Sequence, residues 1–293
     1  MTDPRALAVE ELRELLLVEE IDTDLFRGAA AAERPGRVFG GQVIAQALAA
    51  AAKDLRKGHH AHSLHAYFMR PGDTQRPIIY RVLRDFDGGT FANRRVVAMQ
   101  GGKPILNLAA SFQRPEDGFS HAAPMPEVLP PEQLPEMMDI LRRKSAPMPP
   151  ALQERLAAFD IRPGPPGPPV VDGVGLASQY LWFRLARPIG GDPAVHRIVL
   201  AYASDFALLT TAVLPQDIKF FSPQLQAASL DHAVWFHRTP PVDDWLLYHM
   251  DSPWAGHARG FARGTIYDRT GNMIASVAQE GLCRRRDQPP SET

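Results

Sequence analysis

The chain has 293 residues, 45% of them hydrophobic, a formal net charge of −1 and a single cysteine. That length points to roughly two domains with sizeable cores, and the charge balance argues against a nucleic-acid-wrapping protein, which needs a basic surplus. One thiol, Cys283, excludes an intrachain disulfide and a cysteine-based metal site.

The first thirty residues mix acids with leucines and hold neither a basic segment nor a long apolar run, so no secretory signal is read there. No run of about 18 apolar residues predicts a membrane span. The closing Ser-Glu-Thr matches no peroxisomal or retention address, and a cytoplasmic setting is expected. Gly40-Gly41 precede an alanine-rich helix expected over Gln42–Leu55, whose Val43, Ile44, Ala47 and Leu48 leave few polar positions, so it should be buried nearly all round. Strands are expected at His62–Met69, Pro77–Asp85, Thr90–Gln100 and Lys103–Gln113, with Gly101-Gly102 turning the last pair. Between Arg114 and Ser178 lie 14 of the 28 prolines. Proline lacks an amide donor, so this stretch is unsuited to a sheet interior and reads as a connector with one short helix near Ala151–Phe159.

The second half repeats the pattern. A helix over Ala194–Val213 is followed by strands at Leu225–Phe236, Trp245–Met250, Ala258–Asp268 and Met273–Cys283. Ser63-Leu64 matches Ser229-Leu230, and Gly102-Lys-Pro-Ile105 matches Gly271-Asn-Met-Ile274, so the order helix then antiparallel meander is used twice. The boundaries expected are a first unit over 1–113, a connector over 114–178, a second unit over 179–286 and a tail over 287–293. The packing solution for each unit is a sheet curled around its helix.

On the second helix, at roughly 100° per residue, Ile198, Tyr202, Asp205 and Leu209 fall in one stripe, with Arg197, Ser204 and Thr211 on a polar side. Asp205 therefore stands mid-helix on an apolar face. An unpaired buried carboxylate costs several kcal/mol by general estimates, so Asp205 either reaches solvent, makes a structural hydrogen bond, or is held by partners from the sheet for chemistry. Gln279 shares an apolar strand face with Met273, Ala275 and Val277. Ser229 shares its face with Ala227, Ala233 and Trp235, but by alternation also with Asp231 and His237.

Five segments in one order carry a resemblance: Val38-Phe-Gly-Gly-Gln-Val43, His65-Ala-Tyr-Phe-Met-Arg-Pro-Gly72, Tyr202-Ala-Ser-Asp205, Asp231-His-Ala-Val-Trp-Phe-His237 and Val277-Ala-Gln-Glu-Gly281. Together they resemble the acyl-CoA thioesterase II family from about Glu19 to Cys283. The resemblance implies an α+β double hotdog, two helix-wrapped antiparallel sheets in tandem. It implies hydrolysis of medium- to long-chain fatty acyl-CoA without a cofactor or metal, and a catalytic set of Asp205, Ser229 and Gln279, where Ser replaces the Thr of some members. A double hotdog already forms the paired-sheet unit within one chain, so a homo-oligomer is an addition to that unit.

A thioester carbonyl is reactive enough for direct attack by water, given a base and oxyanion donors. Asp205 is the expected base, Ser229 and Gln279 hold the water, and amides near Gly40 and Gly41 are the oxyanion donors. Arg94 and Arg95, with Arg37 and Lys103, are the basic candidates for coenzyme A phosphates. A Ser229–His232 nucleophile pair is disfavoured, because residues three apart on a strand point to opposite faces and no Gly-x-Ser-x-Gly elbow occurs. Two other functions stay open: an enoyl or hydroxyacyl thioester hydratase on the same fold, and a non-catalytic acyl-CoA-binding protein. The histidines at 59, 60, 62 and 65 lack metal-motif spacing, and Cys283 lacks a neighbouring base.

Overall fold

Two runs of apolar helix and alternating strands build two copies of one unit. The structure, a computed structural model, describes residues 3–30, 36–143, 150–171, 173–216 and 218–286; the expected tail lies outside them. Helix α1 (Pro4–Leu16) leads into β1 (Val18–Asp22), β2 (Leu25–Gly28), α2 (Gly40–Ala51), β3 (His60–Phe68), β4 (Ile78–Asp87), β5 (Phe91–Gln100) and β6 (Lys103–Gln113). A 3-10 turn (Pro131–Gln133), α3 (Met137–Arg143) and α4 (Pro150–Leu156) follow. The second unit comprises β7 (Phe159–Pro163), β8 (Ala177–Leu185), α5 (Pro193–Ala203), α6 (Leu208–Thr211), β9 (Leu225–Ser229), β10 (Asp231–Phe236), β11 (Leu246–Gly256), β12 (Arg259–Asp268) and β13 (Met273–Arg285).

The strands form one antiparallel sheet in the order β1-β2-β4-β5-β6-β3-β10-β13-β12-β11-β8-β7, with β9 also on β13. Read outward from the β3–β10 seam, both halves repeat one order, which is the double hotdog expected. Alternation does the local work: in β5, Ala92, Arg94, Val96 and Ala98 are buried while their neighbours lie further out. The α2 helix is buried from Gly41 to Ala51 and packs on α5 and the inner sheet face. Its two glutamines are satisfied, because Gln46 Oε1 accepts from Tyr80 Oη at 2.7 Å and Gln42 donates to the Ala29 carbonyl.

Several features depart from expectation, among them the single strand expected over Leu225–Phe236, which is two, β9 and β10, on either side of Leu230. Helix α1 and strands β1, β2 and β8 have no counterpart in the expected elements. The proline-rich connector supplies β7, which pairs only with β8 at the sheet's end, where a missing amide donor costs little. Strand β13 runs two residues past the expected end at Cys283, with Arg284 and Arg285 paired to Gln226 and Leu225 of β9. The single helix expected over 194–213 is two helices. Asp192 caps the first, accepting from the Ala194 amide at 2.8 Å, and it ends at Ala203. The chain then turns through Ala207, a non-glycine residue at φ 58°, before α6 begins. Arg197, Ser204 and Thr211 are buried rather than forming a polar side.

Candidate active site

The turn between α5 and α6 places Asp205 where two units meet. Its Oδ2 accepts from the Gly41 amide at the start of α2, at 3.0 Å. Its Oδ1 accepts from Gln279 Nε2 on β13, at 2.8 Å. The same Nε2 donates to Ser229 Oγ at 2.9 Å. The three residues expected to act together do converge, within hydrogen-bond distance, from a turn and two strands. Ser229 accepts from Gln279 and so keeps its own hydroxyl proton to donate. Gln279 Oε1 is buried without a partner among the described residues.

The carboxylate is held in apolar surroundings. Its side chain is 7% exposed, and the rings of Phe39, Phe159, Tyr202 and Phe206 form one cluster around this turn, with centroids 5.0–6.1 Å apart. Among the described residues, the full positive charge acting on it is Arg155, whose guanidinium lies 4.0 Å from the Phe39 ring centroid. Burial pushes the Asp205 pKa up to about 6, against the opposing pull of Gln279, Arg155 and the Gly41 amide. Burial thus outweighs hydrogen bonding, a balance that the sequence left open.

The glycines have a packing reason. A Cβ on Gly40 would sit 2.8 Å from Asp205 Oδ2 and 3.0 Å from the Phe68 ring, and one on Gly41 would overlap the Tyr202 carbonyl oxygen. The Gly41 amide, expected as an oxyanion donor, donates to the Asp205 carboxylate in this structure. Gly41→Ala is therefore expected to move α2 away from α5 and lower both melting temperature and activity. Thermal melts beside activity assays check this, and a variant with wild-type values in both removes the tight approach as a requirement.

Arg94 and Arg95 are engaged elsewhere. Arg94 is buried at 1% exposure and pairs with Asp87 at 2.5 Å. Arg95 is exposed and pairs with Asp85 at 2.6 Å. Neither is brought to Asp205 by a contact of the structure. Arg37 instead lines a cavity of about 480 Å³ beside the site, which shares Phe39, Tyr202 and Arg155 with it and has Leu12, Leu15 and Ala29 among its walls.

Sequence reasoning missed Arg155 and His232. Arg155 lies in the connector, where no motif marked it. Strict alternation puts His232 on the opposite face from Ser229. In the structure the four steps from Ser229, opposite Gly281, to Ala233, opposite Ala278, span three on β13. This bulge flips the alternation. His232 is consequently buried at 1% exposure, while Trp235 is exposed and meets His65 edge-on. The imidazole pairs with Ser204 rather than Ser229: its Nε2 lies 2.8 Å from Ser204 Oγ. Burial raises the Cys283 thiol to about 11, which leaves it protonated and a poor nucleophile at neutral pH.

A tandem of hotdog units around a buried, donor-ringed carboxylate is the frame of a hotdog-fold thioester-processing enzyme. The family described as acyl-CoA thioesterase matches residues 166–282, and its N-terminal domain matches residues 30–113. Human acyl-coenzyme A thioesterase 8 is 39% identical over 94% of this chain and 89% of its own length. Acyl-CoA thioesterase 2 of Haemophilus influenzae is 38% identical over 94% and 98%. The crystal structure of acyl-CoA thioesterase II TesB2 from Mycobacterium marinum superposes with a TM-score of 0.79 at 36% identity, covering 98% of this chain and 99% of that one. The chain belongs to the acyl-CoA thioesterase II family.

Proposed function

We propose that this enzyme hydrolyses medium- to long-chain fatty acyl-CoA to free acid and coenzyme A, using Asp205 as general base on a water held by Ser229 and Gln279. The convergence of these three side chains through contacts of 2.8 and 2.9 Å carries the reading. Asp205 takes a proton from the water as the resulting hydroxide adds to the thioester carbonyl carbon. Collapse of the intermediate breaks the C–S bond, and the proton on Asp205 passes to the leaving sulfur. Ser229 aims the water with its free hydroxyl proton, and Gln279 links base and hydroxyl so that neither turns away. The apolar wall of Leu12, Leu15, Ala29 and Phe39 offers an acyl chain a site, and Arg37 and Arg155 add positive charge beside it.

Release of free thiol from decanoyl- or palmitoyl-CoA, followed with a thiol reagent, tests the activity. Saturable binding with no release favours a binding protein, and a change in enoyl absorbance favours a hydratase. Ser229→Ala is expected to lower turnover about 10–100-fold, the loss of one hydrogen bond worth roughly 1.5–3 kcal/mol in the transition state. A steady-state kcat equal to wild type would take Ser229 out of the mechanism.

A further inference from the structure

His232 holds a nitrogen that no structural bond accounts for. Its ring is 1% exposed, and its Nε2 lies 2.8 Å from Ser204 Oγ. Ser204 Oγ in turn donates its hydrogen to the Ala201 carbonyl at 2.9 Å. With that hydrogen assigned to the Ala201 carbonyl, Ser204 accepts from the imidazole, and this assignment puts the ring proton on Nε2. Burial pushes the His232 pKa down to about 3, so the ring is neutral at working pH. Nδ1 is therefore a bare lone pair. It has no hydrogen-bond partner among the described residues, and it lies 3.9 Å from Asp205 Oδ1.

Two acceptors facing each other in a dry pocket repel while Asp205 is ionised and become complementary once a proton lies between them. We propose that His232 is a positioning residue that accepts a hydrogen bond from Asp205 Oδ1 while Asp205 carries the proton taken from water. This role rests on Asp205 being the general base. The imidazole stays neutral throughout: the proton moves from water to Asp205 and then to the leaving sulfur, and His232 accepts only the hydrogen bond between those events. Oδ1 keeps a second lone pair for Gln279 Nε2. Closing the gap to an ordinary hydrogen bond takes a shift of about 1 Å. Ser204 and Asp205 are adjacent in one turn, which Tyr248 Oη fixes by donating to the Ser204 carbonyl at 2.8 Å. The polar and ionisable groups around the pair are Tyr202 on α5, Tyr248 on β11, Arg155 on α4, Gln279 on β13 and the Gly41 amide on α2. Strand β3 faces His232 with Ala66.

The test is nitrogen NMR of the imidazoles in the ¹⁵N-histidine-labelled enzyme between about pH 4.5 and 8, a window that spans the carboxylate's titration. Expected is an Nε2–H tautomer throughout, with the Nδ1 resonance moving as Asp205 titrates and standing still in Asp205→Asn. An Nδ1–H tautomer overturns the proposal. A flat Nδ1 resonance in wild type, beside lost turnover in D205N, also overturns it and leaves the general base standing. Full turnover in D205N removes the base, and this role with it. His232→Phe adds a kinetic readout. Loss of the acceptor is expected to move the acid limb of kcat/KM down by about 0.5–1 pH unit, whereas a merely apolar packing role leaves that limb in place or raises it.

Discussion

Asp205→Asn is expected to lower kcat by at least about 10²–10⁴-fold, the usual contribution of a general base, while the variant folds normally. The substitution is nearly isosteric. The carbonyl oxygen of the introduced amide still accepts from the Gly41 amide, and Gln279 can turn its unpartnered Oε1 toward the new NH₂ group. Circular dichroism and a melting curve beside the thiol-release assay separate lost chemistry from lost fold. Near-wild-type hydrolysis by a folded variant would end the mechanism proposed above.

The second large effect is a pH dependence of opposite sign for activity and stability. The proposed mechanism needs the ionised carboxylate, so kcat/KM should fall about tenfold per pH unit below an apparent pKa near 6. Stability runs the other way for this group. Its pKa rises from 3.8 to about 6 on folding, so the folded state binds the proton more tightly than the unfolded state. Below pH 3.8 the group is neutral and contributes nothing. Between 3.8 and about 6 it increasingly disfavours the fold, and above that the full penalty applies, on the order of 3 kcal/mol. His232, held neutral in the fold, works in the other direction: its pKa falls from 6.5 to about 3, so acidification through that window costs stability. Comparing wild type with D205N isolates the carboxylate. The variant should be the more stable at about pH 8, with an advantage that shrinks toward about pH 4 in denaturant titrations. An advantage of equal size at every pH would mean that Asp205 is not the strained group. The proposed mechanism thus sets activity against stability at one side chain, as is common in active sites.

Much of this architecture was legible before any coordinates. Strands β3 to β6, β12 and β13 lie within two residues of their expected positions, and β11 starts within one residue but runs six further, because alternation of apolar and polar residues is a local signal. Asp205 and Gln279 stood out because a carboxylate and an amide sat among apolar neighbours in periodic segments. Strand β7 did not, because its five residues lie in proline-rich sequence and owe their conformation to β8.

The sequence by itself determined the two-unit pattern, the apolar helices and the residue types that must find partners inside the core. Tertiary structure alone decided which partners they found. The carboxylate, amide and hydroxyl of Asp205, Gln279 and Ser229 and the amide of Gly41 meet through contacts between residues 50 to 164 positions apart in the chain, and the Ala207 carbonyl at the helix break accepts from Gln179, 28 positions away on β8. Periodicity assumes an uninterrupted helix or strand. At this site packing breaks one of each, and the strand break brings His232 and Ser229 to the sheet face that carries Gln279.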